Sequence, residues 1–200
     1  MDWDNLKRLL QRTPQALTQG RPAAVLVLLA GEELVLEVRS STLHTQPGEV
    51  CLPGGGMEPG ETPTACALRE TEEELGLPAS AIEVLGETDY LFHPTLRAVY
   101  PVLARTAPET LEQLRLNPAE VAQVFTVPLD WFAAHPPIPY RYRLQASDTA
   151  SLPEQMQRWV SGYPNLRQGF YWDYHGRLIW GMTGRVIRLV LQLREEAESF

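Results

Sequence analysis

The chain of 200 residues has only two cysteines, Cys51 and Cys66, so no disulfide framework is expected and its thiols suit a reducing compartment. No stretch approaches eighteen consecutive apolar residues, which leaves no sequence candidate for a membrane-spanning helix. Positive charge is also scarce: 17 Lys and Arg stand against 25 Asp and Glu, for a net charge of −8. Nonspecific nucleic-acid binding needs a basic stripe that displaces counterions from phosphates, so no nucleic-acid partner is expected. Repeats and low-complexity tracts are missing as well. The N-terminal MDWDNLKRLLQRTPQ is interrupted by charges where a secretory signal carries an unbroken apolar core. One compact domain over residues 1–200 is expected, in the cytoplasm and not on a membrane.

What is present begins with strand and helix signals. Ala23 to Leu29 is a Val- and Leu-rich run, and the turn Ala30-Gly31-Glu32-Glu33 leads into a second strand, Leu34 to Arg39, as in a hairpin. Ile82 to Tyr90, Leu96 to Arg105, Val121 to Val127 and Arg177 to Trp180 read as further strands, and Arg185 to Glu196 as a helix with its apolar stripe at Val186, Leu189, Val190 and Leu193. Trp3, Leu6, Leu9 and Leu10 form the stripe of an N-terminal helix over about residues 2–12, docked on the domain or, alternatively, meeting a membrane surface or a partner. The expected class is α/β (α+β), a mixed sheet with helices on both sides. The proline-rich stretch from His135 to Tyr163 reads as a long loop or insertion. Within it, Tyr140-Arg141-Tyr142-Arg143 is either an ordinary edge strand or a surface that stacks an adenine or meets a phosphate. Phe170, Tyr171, Trp172 and Tyr174 are read as core in preference to a base-binding platform.

The densest chemistry lies in GGMEPGETPTACALRETEEELGL, Gly55 to Leu77. Thr62 can cap a helix that starts at Pro63, and Gly76 can end it in the left-handed conformation, so a helix is predicted over Pro63 to Leu75. Glu70, Glu73 and Glu74 then stand at i, i+3 and i+4 on one face. With about 6 Å between charges and an effective dielectric near 20, each carboxylate pair repels by roughly 3 kcal/mol, a cost that a bound cation cancels. Hard oxygen donors suit Mg²⁺ or Mn²⁺ and not Zn²⁺. Glu72 points elsewhere, and Glu61 lies in the preceding loop, from which it can fold back. The plain alternative is a solvated acidic helix face.

This run resembles the signature of the Nudix hydrolases, GX5EX7REUXEEXGU, with Gly55, Glu61, Arg69, Glu70, Glu73, Glu74, Gly76 and Leu77 in register. Thr71 departs, standing where the family has a bulky aliphatic residue. The resemblance implies a Nudix-type α/β/α sandwich with a catalytic loop–helix–loop, and a pyrophosphatase that hydrolyses a nucleoside diphosphate linked to another group. It implies metal ligands at Glu70 and Glu74, assisted by Glu73 and Glu61, catalytic roles for Glu73 and Glu74, and an Arg69 that orients the glutamates through a salt bridge. The chemistry is metal-assisted attack of water on phosphorus.

Upstream, VLEVRSSTLHTQPGEVCLPGG is similar to the pattern LLTXRSX3RX3GX3FPGG of the coenzyme A pyrophosphatase branch, matching at Arg39, Ser40, Gly48, Pro53, Gly54 and Gly55. Glu37, His44 and Leu52 stand in place of its Thr, Arg and Phe. The resemblance implies substrate contacts from Arg39, Ser40, His44, Gly54 and Gly55, and cleavage of coenzyme A into 3′,5′-ADP and 4′-phosphopantetheine. The stretches Asn117 to Phe132 and Ile179 to Ile187 also resemble that branch. Glu120 in the first of these is either a catalytic carboxylate from outside the box or a surface group. Alternatives are ADP-ribose or another nucleoside diphosphate derivative as substrate, Pro94 lying near a proline of ADP-ribose enzymes, and a Nudix-fold module that binds nucleotide without catalysis.

Overall fold

The computed structural model describes residues 20–92, 97–143, 150–162 and 166–199. The N-terminal stripe of Trp3, Leu6, Leu9 and Leu10, and Pro94, lie outside them. In chain order the strands are β1 Ala23–Ala30, β2 Glu33–Arg39, β3 Val50–Cys51, β4 Gly54–Gly56, β5 Glu83–Glu87, β6 Leu91–Phe92, β7 Ala98–Thr106, β8 Val121–Pro128, β9 Ile138–Arg143, β10 Leu166–Tyr174 and β11 Arg177–Trp180. The α-helices are α1 Pro63–Leu75, α2 Leu129–Ala134, α3 Glu154–Gly162 and α4 Gly181–Glu198. None of the described helices is long and apolar enough to cross a membrane.

Residue contacts divide the chain into two compact units. The first comprises Met1–Gly31 and Pro53–Arg115, the second Glu32–Leu52 and Leu116–Phe200. In the first unit β1 runs parallel to β7 over its whole length, from Ala23 opposite Val99 to Ala30 opposite Thr106, and antiparallel to β4 at Ala23, Ala24 and Val25. Strands β5 and β6 pair antiparallel with β7, so the sheet is mixed. Leu26, Val27 and Leu28 are all fully buried, which explains why β1 reads as an unbroken apolar run and not as an alternation. Helix α1 packs on β1, β4 and β7 through Cys66, Ala67 and Leu75.

In the second unit β2 pairs antiparallel with β3 and with β8, while β9, β10 and β11 form a separate antiparallel sheet. One face of that three-stranded sheet, with Trp172 and Ile179 buried, packs on α4, whose buried positions are Gly184, Val186, Ile187 and Val190. Phe132 of α2 meets Trp172 edge-to-face with ring centroids 5.3 Å apart, and the Trp172 indole N–H donates to the His135 carbonyl at 2.8 Å. The other face carries Ile138, Tyr142, Leu178 and Trp180 into solvent.

The stretch read as a long loop or insertion over His135 to Tyr163 contains β9 and α3, elements that an insertion can carry. Its prolines fall at the strand start and before the helix, where a missing N–H is tolerated, and do not forbid either element. The aromatic cluster Phe170 to Tyr174, expected as core, lies in β10, so alternate residues face opposite ways: Trp172 is buried and Tyr171 turns to the other face. Helix α4 also starts four residues before the expected Arg185, and in its first turn Gly184 lets the Phe170 and Trp172 rings come close; a Cβ there would sit 3.4 and 3.5 Å from them.

Candidate active site

The site is built on α1 and the glycine turn before it. Thr62 accepts a hydrogen bond from Ala65 N–H at 3.2 Å, as an N-cap should, and Pro63 occupies the first helical position. At the other end Gly76 takes φ +66° and donates its N–H to Glu72 O at 2.9 Å. A side chain there would also collide with Arg115. Thr71, the departure from the family pattern, is fully buried, and its hydroxyl donates to Ala67 O at 2.7 Å. The helix thus absorbs the extra oxygen locally.

Arg69 is the hub of the carboxylates. Its Nε donates to Glu61 Oε1 at 2.9 Å and its Nη2 to Glu61 Oε2 at 3.1 Å, a bidentate pair, while Nη1 donates to Glu70 Oε1 at 2.8 Å and reaches Glu73 at 3.4 Å. Nη2 also meets the Gly56 carbonyl at 3.3 Å. Glu61 does fold back from its loop, where its Oε2 also accepts the Glu58 N–H at 2.8 Å. These contacts hold the Glu61 carboxyl down at about 2, with the Arg69 hydrogen bonds the leading cause, and push the Arg69 guanidinium above its ordinary range. Burial pushes the Cys66 thiol up to about 11, so it is a packed, unreactive group. Neither cysteine is in a disulfide.

The remaining box carboxylates are graded from inside to outside. Glu74 is only 4% exposed and its Oε2 accepts the Gly54 N–H at 2.8 Å, whereas the Glu73 side chain is 54% exposed. Between them the Glu70 carboxylate lies directly on Gly55, in space that a Cβ at that position would occupy. Among the described residues no three acidic, Cys or His side chains are gathered closely enough to hold a metal without rearrangement, because Arg69 and Gly54 engage the carboxylates. The donor set itself fits a hard divalent cation: oxygens only, at the accessible edge of α1, beside the backbone carbonyls of the glycine turn. Arg21, which had no signal in the sequence, braces that turn by donating to the Gly56 carbonyl at 2.9 Å and to the Met57 carbonyl.

Arg39, Ser40, His44 and Glu120 belong to the second unit. Arg39 and Glu49 close the loop between them, with Arg39 N–H donating to Glu49 O at 2.9 Å and Gly48 N–H to Arg39 O at 3.2 Å; His44 is exposed on that loop. Ser40 is buried, donates its N–H to Glu120 O at 2.7 Å, and shares a 2.9 Å hydroxyl contact with Thr42. Glu120 is half-buried just before β8. Glu37, where the pattern has threonine, is fully buried. Its Oε1 accepts from the Cys51 thiol at 3.1 Å, and its Oε2 has no hydrogen-bond partner among the described residues. Burial pushes its carboxyl up to about 7.

The two shifted glutamates give stability two pH limbs. Glu61, lowered from 4.5 to about 2 in the fold, stabilises above 4.5 and loses that contribution as pH falls through about 2. Glu37, raised from 4.5 to about 7, has the opposite sign: its fold-stabilising protonation is fully present below 4.5 and is lost as pH rises through about 7. Urea midpoints of the metal-free chain from pH 2 to 8 should therefore rise and then fall. Glu61→Gln should flatten the acid limb and Glu37→Thr the neutral one, and a Glu37→Thr profile still falling between pH 4.5 and 7 would contradict the assignment.

Comparison with known proteins follows this geometry. The NUDIX domain family model matches residues 20–145. Nudix hydrolase 3 of Caenorhabditis elegans is 43% identical over 101 residues, 50% of this chain and 42% of that protein, so the chain spans less than half of that relative. Mitochondrial coenzyme A diphosphatase NUDT8 of Mus musculus is 31% identical over 207 residues, 96% of this chain and 87% of that protein. Peroxisomal coenzyme A diphosphatase NUDT7 of Mus musculus is 35% identical over 170 residues, 84% of this chain and 66% of that protein.

Proposed function

Because the chain belongs to the Nudix hydrolase family, we propose that it hydrolyses the diphosphate bond of coenzyme A, releasing 3′,5′-ADP and 4′-phosphopantetheine, with Mg²⁺ or Mn²⁺ bound. The observation that carries the reaction class is the set of box carboxylates held by Arg69 and Gly54 around the glycine turn. The upstream motif at Arg39, Ser40 and Gly48, together with the alignment to two coenzyme A diphosphatases, supports the substrate. A single enzyme domain in a reducing compartment such as the cytoplasm completes the reading.

In it, Glu70, Glu73, Glu74 and Glu61 would hold the cation, which would supply charge neutralisation for the diphosphate and acidity for an attacking water. Arg69 keeps Glu61 and Glu70 beside the glycine turn, and their oxygens would turn from the guanidinium toward the cation on loading. Glu73, the most exposed of the set, and Glu120 are the carboxylates free enough to take a proton from water. Arg39 and Ser40 position phosphate oxygens, with His44 in place of the pattern's arginine, and the bare backbone at Gly54 and Gly55 admits the diphosphate closely.

The test is kcat/KM with Mg²⁺ for coenzyme A, dephospho-coenzyme A and ADP-ribose at pH 6 and pH 8.5. Coenzyme A should lead at both. Dephospho-coenzyme A should lose several-fold to about a hundredfold, the range of one charge-assisted hydrogen bond. ADP-ribose ahead of coenzyme A at both pH values would refute the substrate and leave the reaction class standing.

A further inference from the structure

The exposed face of the β9–β10–β11 sheet takes no part in the carboxylate chemistry, and its composition is unusual for a solvated surface. The register places Tyr171 directly opposite Ile138 on one side and Trp180 on the other, and Tyr142 opposite Arg167, so these residues share one face with Tyr140. Tyr142 is 37%, Trp180 42% and Ile138 48% exposed, so the face presents aromatic and aliphatic side chains from three strands. Gly169 lets Tyr140 lie low on it: a Cβ there would sit 2.7 Å from Tyr140 Cε1 and closer still to Cζ and the hydroxyl oxygen, so the phenol leans over the bare backbone of β10. Tyr140 is 5.8 Å from Tyr142 and 6.4 Å from Tyr171 between centroids. The face also has a direction of charge. On a chain of net charge −8, neither Ile138–Arg143 nor the stretch from Leu166 to Trp172 contains a carboxylate, and Arg167, paired with Tyr142, puts a guanidinium on this face near the end of β9, while Arg141 and Arg143 alternate to the opposite face. Asp173 lies toward the opposite end, across from Leu178.

We propose that this face binds the adenosine phosphate part of a nucleotide, the base stacked on Tyr140 and Tyr142 and the phosphates toward Arg167. Aromatic side chains on a sheet offer every base a π-surface, and an adjacent guanidinium adds a phosphate donor and a cation–π partner. A bare apolar partner would not require the arginine end, and a purely anionic one would not require the exposed rings. The proposal deepens the functional reading above, since coenzyme A carries such a moiety, but it does not depend on cleavage.

The probe is 3′,5′-ADP, titrated calorimetrically into the full chain without divalent metal, beside 4′-phosphopantetheine and adenosine. Tight binding of 3′,5′-ADP, weaker binding of adenosine and none of 4′-phosphopantetheine at this face are expected. Tyr142→Ala should weaken 3′,5′-ADP about tenfold or more, the scale of one stacked base. Arg167→Glu should weaken 3′,5′-ADP but hardly change adenosine. Leu85→Ala, which removes an exposed apolar group from β5 in the other unit, controls for surface truncation and should bind as the unsubstituted chain does. In turnover the Tyr142→Ala loss should fall on KM for coenzyme A far more than on kcat. An unchanged dissociation constant in both Tyr142→Ala and Arg167→Glu overturns the proposal; if Tyr142→Ala instead converts a dimer into a monomer by sedimentation, the face belongs to a second copy of the chain. Should the chain fail to cleave coenzyme A yet lose 3′,5′-ADP binding in these variants, the substrate assignment falls and the binding face stands.

Discussion

Glu74→Gln is expected to lower kcat by at least about a hundredfold in a chain that still folds, the scale of losing a metal ligand or a catalytic group. Glu74 is the most buried carboxylate of α1, and one of its oxygens is held by the Gly54 N–H. Glutamine can keep that bond through its own amide oxygen, so the glycine turn should stay in place. What is lost is the charge, and with it one anionic oxygen of the proposed cation-binding set. Removing one of several repelling carboxylates should leave the metal-free chain as stable as before or slightly more so. Near-normal turnover by folded Glu74→Gln at saturating Mg²⁺ would show that α1 is not the catalytic centre.

The second large effect separates two adjacent glycines. Gly54 has φ +149°, and a Cβ there would sit 2.6 Å from Val25 Cα and closer still to the Ala24 carbonyl, both backbone atoms of β1. Backbone cannot step aside as a side chain can, so Gly54→Ala should destabilise the fold by roughly 3 kcal/mol or more from strain and overlap together. At Gly55 the Cβ would instead meet the Glu70 carboxylate, the far end of a flexible side chain. Gly55→Ala should therefore fold with little loss in Tm while pushing Glu70 off the turn and away from Arg69. Displacing a catalytic group by about 1 Å costs on the order of a hundredfold in rate. Equal Tm losses in the two variants, measured by calorimetry, would refute this division of labour.

How much of this was legible in the sequence depended on how local the cause was. Helix α1 could be read to the residue, because Thr62, Pro63 and Gly76 act on their own neighbours. The place of Glu61 in the Arg69 network was only half legible, since the pattern allows the loop to fold back and the structure alone shows the bidentate pair. Sheet partners were not legible: three successive glycines at Gly54–Gly56 carry no strand signal, and they pair with β1 because the absent side chains let α1 and the turn approach it. The same holds for β10, where period-2 alternation is hidden by aromatic residues on both faces. Glu37 announces itself as a charge in an apolar strand, but its burial comes from strands that lie far off in sequence.

The parallel pairing of β1 with β7 has a consequence for the order in which the chain can assemble. Ala23 must wait for Val99, more than seventy residues downstream, so the frame of the first unit closes late, by a contact of high sequence separation. The Arg69 contacts with Glu61, Glu70 and Glu73 span at most eight residues and can form as soon as α1 does. During synthesis the arginine–carboxylate cluster is thus complete before the sheet that supports it. Folding transition states probed by substitution should show Arg69 contacts already formed and β1–β7 contacts still open.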